Sequence, residues 1–246
     1  MDRSHPERPR IDRFPLEADG EQLAAVALAP ADPVGLTAVA LHGAGDSDSA
    51  RLLPLLGDLA ARGCRALALD FSGHGASSGR LAELSLERRL RQAAALIDRH
   101  AGGGGLVLVG FSMSGQTVAD LTARYGPRVR AVGLCAPAVY AREAWPVPFG
   151  AGFTGIVRRP GSWRDSAALP ALRAFGGRSV LVVPGRDGVI PAEVTAEVGR
   201  ALTARSEHTR LELPDAVHRL GRWFGEHPSP RQRFVAALLR GAGHPA

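Results

Sequence analysis

The sequence predicts an α/β fold: a mostly parallel central sheet with helices on both faces. Three observations lead there. Short runs at residues 36–41, 65–69, 106–109, 129–135 and 179–183 are largely apolar and bounded by turn residues, the pattern of strands buried on both faces. Helical stretches alternate with those runs. Each residue pattern that carries chemistry falls just past the carboxyl end of such a run, where open parallel sheets collect ligands.

Residues 1–20 read as an N-terminal arm, polar and rich in Arg and Pro at its start. Strands at 22–28 and 36–41 follow, separated by the turn-forming Pro30-Ala31-Asp32-Pro33. Ser49 is placed to cap a helix that runs to Arg62 and stops at Gly63. The strand at 65–69 leads into a Gly/Ser loop over 70–80. Ser85 caps a helix over 86–100, which the run Gly102 to Gly105 ends. The strand at 106–109 enters a serine-bearing corner and then a helix over 116–125. A Pro- and aromatic-containing insertion at about 138–176 separates the strands at 129–135 and 179–183. A helix from Pro191 to Thr203, a strand at 209–213 and a closing helix over 229–239 complete the order. One domain therefore covers residues 21–246.

Of the 246 residues, 45% are apolar and 22% charged, a balance that supplies a full core and excludes wholesale disorder. No apolar stretch reaches the roughly 18–20 residues a membrane span needs. The first residues lack the apolar segment of a secretory signal, so a cytoplasmic protein without a membrane partner is expected. All 30 basic residues are Arg, and the net charge is +6. They are scattered, with no basic stripe that interleaves aromatics, which argues against nucleic acid as a partner and for a small-molecule substrate. Cys64 and Cys135 lie in apolar surroundings and are expected as buried free thiols. Two cysteines alone build no zinc site, and neither a metal nor a cofactor is expected.

Gly110-Phe111-Ser112-Met113-Ser114-Gly115 is the most informative segment. A serine at a strand-to-helix corner, with small residues on both sides, can be forced into a strained turn that presents its Oγ. Ser112 has Gly110 and Ser114 two residues away on either side. Ser114, the rival nucleophile, would have the bulky Gln116 there. A serine hydroxyl needs an imidazole base, and the imidazole needs an orienting carboxylate. His218, after the last predicted strand, is the candidate base. Asp187, in Pro184-Gly185-Arg186-Asp187-Gly188, is the candidate carboxylate, with Asp215 as runner-up. The chain order Ser, Asp, His accompanies a strand–turn–helix nucleophile. Backbone N–H groups of Met113 and of Ala44, in His42-Gly43-Ala44-Gly45, are the expected oxyanion donors. His42 is read as a brace for its loop.

These segments, together with Asp70-Phe71-Ser72-Gly73-His74-Gly75-Ala76-Ser77-Ser78-Gly79 and Gly188-Val189-Ile190-Pro191, resemble the α/β-hydrolase superfamily, in its esterase and lysophospholipase-like branch. They occur in that superfamily's order and span residues 22–240. The resemblance implies the α/β-hydrolase fold, with the insertion at 138–176 as a short cap. It implies structural roles for Asp70 and His74. It also implies a serine hydrolase that cleaves a carboxylic ester or thioester through an acyl-enzyme on Ser112. The alternative is a lyase, acyl-transfer or cyclisation step on a biosynthetic intermediate with the same triad. Trp145, Phe149 and Phe153 of the insertion are the expected contacts for a small to medium, largely apolar substrate.

Overall fold

The computed structural model describes residues 10–242; residues 1–9 and 243–246 lie outside the described residues, and with them His5, His244 and the start of the predicted arm. The strands are β1 (Ile11–Ala18), β2 (Glu21–Leu28), β3 (Leu36–Leu41), β4 (Arg65–Leu69), β5 (Gly105–Phe111), β6 (Val129–Cys135), β7 (Arg178–Arg186) and β8 (Glu207–Val217). They form one sheet in the order β1-β2-β4-β3-β5-β6-β7-β8. From β4 to β8 every pairing is parallel, while β2 runs against both β1 and β4.

Alternation along the strands decides the layers. Val39, Leu41, Leu67, Leu69, Leu106 and Leu108 face one core. That core is closed by α2 (Leu86–His100), α3 (Ser114–Tyr125), α5 (Ala168–Ala174) and α6 (Ala192–Thr203). Ala38, Ala40, Ala66, Ala68, Val107 and Val109 face the other. There α1 (Leu53–Ala60), α7 (Leu220–Glu226) and α8 (Pro228–Leu239) supply the cover. This is the α/β-hydrolase architecture the sequence predicts, a mostly parallel sheet between helical layers. No helix among the described residues is long and apolar enough to cross a membrane. Cys64 and Cys135 are buried free thiols.

The strand order reverses at the β3–β5 junction. The chain moves outward from β3 to β4, then returns to β5 on the other side of β3. Ligands settle above the carboxyl ends of strands at such a switch point. The loop after β3 and the corner after β5 both open there.

Several boundaries differ from the predicted ones. Residues 11–18, assigned to the N-terminal arm, form β1 instead. Only Leu16 and Ala18 of that strand are buried, so its charged outer face hides the alternation. Pro15 fits because β1 is an edge strand and owes no inner ladder bond. Asp48, not Ser49, caps the next helical stretch by accepting from Arg51 N–H at 3.2 Å. α5 lies within the stretch predicted as insertion, yet its Leu169 and Leu172 belong to the main core. The part of the expected cap that precedes α5 is therefore about residues 138–166, with a short helix, α4 (Thr154–Val157), inside it.

Candidate active site

The corner between β5 and α3 holds Ser112 in the left-handed region, at φ +50°. That conformation is costly for a residue with a Cβ and persists only where surroundings enforce it. Three backbone hydrogen bonds do so. Ser112 N–H donates to Cys135 O at 2.9 Å, and Ser112 O accepts from Gly115 N–H at 2.8 Å and Ala138 N–H at 2.9 Å. The small neighbours are a steric requirement. A Cβ on Gly110 would come within 2.5 Å of Ser114 O, and one on Gly115 within 2.6 Å of Pro137 Cβ.

β7 and β8 deliver the other two side chains. Both run further than predicted, pairing up to Arg186 with Val217. Gly185 permits this, since a Cβ there would stand 2.4 Å from Pro214 O. Asp187 and His218 are the next residues on each strand, so they emerge side by side. His218 Nδ1 lies 3.0 Å from Asp187 Oδ2, and His218 Nε2 lies 2.9 Å from Ser112 Oγ. An ionised carboxylate only accepts, so Nδ1 carries the proton and Nε2 accepts from the serine hydroxyl. Asp187 Oδ1 accepts from Val189 N–H at 2.8 Å and Ile190 N–H at 3.0 Å. Burial alone would raise the Asp187 pKa. The His218 bond and those two N–H groups outweigh it and hold the carboxyl below its ordinary value. Asp215, the runner-up, points elsewhere and pairs with Arg186 at 3.0 Å.

The loop after β3 passes directly against the serine, where a Cβ on Gly43 would be 3.2 Å from Ser112 Cβ. Neither Ala44 N–H nor Met113 N–H has a hydrogen-bond partner among the described residues. Ala44 is exposed and Met113 buried. His42 braces this loop. Its Nδ1 lies 2.7 Å from Gly43 O and its Nε2 accepts from Phe71 N–H at 3.1 Å. Asp70 ties neighbouring segments, accepting from Ser49 N–H at 2.6 Å and Ala76 N–H at 3.0 Å. His74 packs beside His42, with ring centroids 4.7 Å apart.

The three insertion aromatics expected to meet substrate are committed first to fixing the cap. Phe153 is buried, so it serves as a packed wall more than a free contact surface, with Phe149 set edge-on to it at 4.7 Å. Trp145 is half-buried and donates its Nε1–H to Asp120 Oδ2 at 3.0 Å. Met113, Phe153, Leu86 and Ala144 form a small apolar cluster, with Tyr140, Trp145 and Phe149 against it. Met113 follows Ser112, so this cluster begins beside it.

Asp120 is the polar anchor under that cap, and the sequence reading missed it. Its Oδ1 also accepts from Gln116 Nε2 at 2.8 Å, while Gln116 Oε1 accepts from Tyr140 N–H and the Ser166 hydroxyl, each at 3.1 Å. Burial pushes the Asp120 carboxyl up to about 6, although the Trp145 and Gln116 bonds pull the other way. A carboxyl raised above its unfolded value of about 3.9 adds stability at low pH that is lost as pH rises through about 6. Asp120→Asn removes that loss. Relative to the parent, thermal unfolding of the variant should improve between pH 4.5 and pH 8 by roughly 2 kcal/mol. A parent-minus-variant difference that is flat across this range would contradict the assignment.

A cavity of about 780 Å³ lies at the opposite end of the sheet, lined by Thr122, Pro127, Arg178 and Glu207 among others. It sits at the amino ends of β6 and β7, away from Ser112, Asp187 and His218, and its lining holds no serine, cysteine or histidine.

Comparison with known proteins bears on the family and the fold. A family profile described as serine aminopeptidase, S33, matches residues 33–171, more than half of the chain. The match includes Ser112 and ends before Asp187 and His218. Among solved structures, the thioesterase domain from the curacin biosynthetic pathway is 16% identical, with a TM-score of 0.71 over 92% of this chain and 99% of that one. An esterase from Pyrococcus furiosus is 17% identical, with a TM-score of 0.70 over 98% of this chain and 95% of that one. The haloalkane dehalogenase DatA from Agrobacterium tumefaciens C58 is 16% identical, with a TM-score of 0.72 over 94% and 97%. At such identities the likeness is one of fold. No curated protein matches the sequence significantly.

Proposed function

The chain belongs to the serine aminopeptidase S33 family of α/β-hydrolases, and from that premise we propose that it hydrolyses a carboxylic ester or thioester through an acyl-enzyme on Ser112. One observation carries the reading: the contiguous hydrogen-bonded line from Asp187 through His218 to Ser112 Oγ, with steps of 3.0 and 2.9 Å. His218 Nε2 takes the hydroxyl proton as Oγ attacks the acyl carbon. Asp187 holds the resulting imidazolium, and His218 returns the proton to the departing alcohol or thiol. The tetrahedral oxygen is received by the Ala44 and Met113 N–H groups. Water, deprotonated by the same imidazole, then releases the acid.

The substrate side of the proposal rests on the cap. Its apolar cluster starts at Met113 and favours a small to medium apolar acyl or aryl group. The cap's Glu143 and Asp165 are engaged by Arg159 and Arg142, and Asp120 by Trp145 and Gln116. That environment suits an uncharged acyl chain better than a protonated amino terminus. Turnover of p-nitrophenyl esters of increasing chain length tests the reading. Activity rising from acetate to a medium chain supports it, and no hydrolysis of any ester counts against it.

A further inference from the structure

Arg89 stands where the spacing of α2 calls for an apolar residue, on the same buried stripe as Leu86, Ala93, Leu96 and Ile97. It is fully buried, and no carboxylate pairs with it among the described residues. Its Nε and Nη1 have no hydrogen-bond partner. The guanidinium rests on the face of Phe71, with Cζ 3.7 Å from the ring centroid. A buried, unpaired charge is expensive, and an apolar side chain at this place would avoid that cost. What the charge does contact is specific. Nη2 donates to His42 O and to Ser114 Oγ, each at 2.7 Å, and the Ser114 hydroxyl itself donates to His42 O at 2.6 Å. The two segments joined this way are the ones that carry Ala44 and Met113.

We propose that Arg89 is a positioning residue for the oxyanion site: it locks the His42–Ala44 loop to the start of α3 and sets a positive charge behind the two free N–H groups. The proposal rests on the hydrolase reading above and deepens it. The route from Arg89 to Ala44 is short. His42 is held neutral by its burial, then by Arg89 and then by His74. Phe71 N–H occupies His42 Nε2, so the ring proton is on Nδ1, and it donates to Gly43 O. That carbonyl belongs to the same peptide unit as Ala44 N–H. A peptide whose oxygen accepts a hydrogen bond is fixed in plane and polarised as a donor at its nitrogen. Burial pushes the Arg89 guanidinium down to about 9, which leaves it protonated at neutral pH. The charge is therefore present when an oxyanion forms.

The test uses a reversible tetrahedral adduct. An alkyl trifluoromethyl ketone labelled with ¹³C at its carbonyl is added to the parent, to Arg89→Gln and to Arg89→Lys, and the hemiketal oxygen is titrated by ¹³C NMR. Arg89→Gln should raise the hemiketal pKa by about one unit or more relative to the parent. On a p-nitrophenyl ester it should lower kcat by about 10–100-fold with KM within about twofold. Arg89→Lys keeps the charge but reaches only one of the two oxygens. It should fall between the parent and the Gln variant in hemiketal pKa, with kcat several-fold below the parent. A folded Arg89→Gln whose hemiketal pKa and kcat equal the parent's overturns the proposal. If the Gln variant does not fold, a Lys variant with the parent's kcat overturns it instead. Absence of any Ser112 adduct in the parent is a different failure, and it would overturn the hydrolase reading itself.

Discussion

Ser112→Ala should lose about 10⁴-fold or more of its turnover on a nitrophenyl ester, with the fold retained. The hydroxyl is the only atom removed, and its side chain is only partly buried, so the core is untouched. The strained φ of +50° is set by bonds from the Ser112 backbone to Cys135, Gly115 and Ala138, which alanine keeps. Stopped-flow or steady-state assay together with a thermal melt separates the two quantities. A folded variant with a rate within tenfold of the parent would mean that the acyl group never passes through Oγ.

Asp187→Asn should cost about 10⁴-fold in kcat, by analogy with the loss from the wrong tautomer in triad enzymes. The local bonding makes that outcome specific here. Oδ1 accepts from Val189 and Ile190 N–H groups, so an asparagine must keep its oxygen on that side. Its NH2 group then faces His218 Nδ1 and donates to it. The ring proton moves to Nε2, which can no longer take the serine proton. A flipped amide would instead set two donors against two backbone donors. The readout is kcat together with the ring tautomer by ¹⁵N NMR. An Asn variant that keeps Nδ1 protonated, and most of the parent rate, would contradict the carboxylate's role.

The site was legible in the sequence because each part sits at a strand end, where neighbouring residues are constrained. Gly110 and Gly115 announce the corner around Ser112, and the structure gives the steric reason for both. Leu36–Leu41 and the helix over Leu86–His100, with its Ser85 cap, were readable because apolar pattern and capping chemistry coincide. β1 was not, since five of its eight residues are exposed. α7 was missed because Leu220–Glu226 is short and carries Gly221 and Gly225, residues that disfavour helix in isolation. β8 passes through Pro214-Asp215, which reads as a turn, yet its pairing with β7 carries it to Val217.

Hydrogen-bonding roles were harder to read than positions. Ser114 passes in sequence as a merely small residue, whereas its hydroxyl bridges Arg89 and His42 O. In sequence Arg89 is one of the scattered arginines, next to Arg88. The signal that could have singled it out is its place on the buried stripe of α2. Asp120 likewise resembles an exposed helical acid until Trp145, twenty-five residues later, is brought onto it.

Mass spectrometry of peptides from native protein treated with a fluorophosphonate tests the nucleophile itself. The geometry predicts one stable phosphonyl adduct, on Ser112. Folded protein that stays unlabelled, or that carries the label on another residue while Ser112 is free, would contradict it.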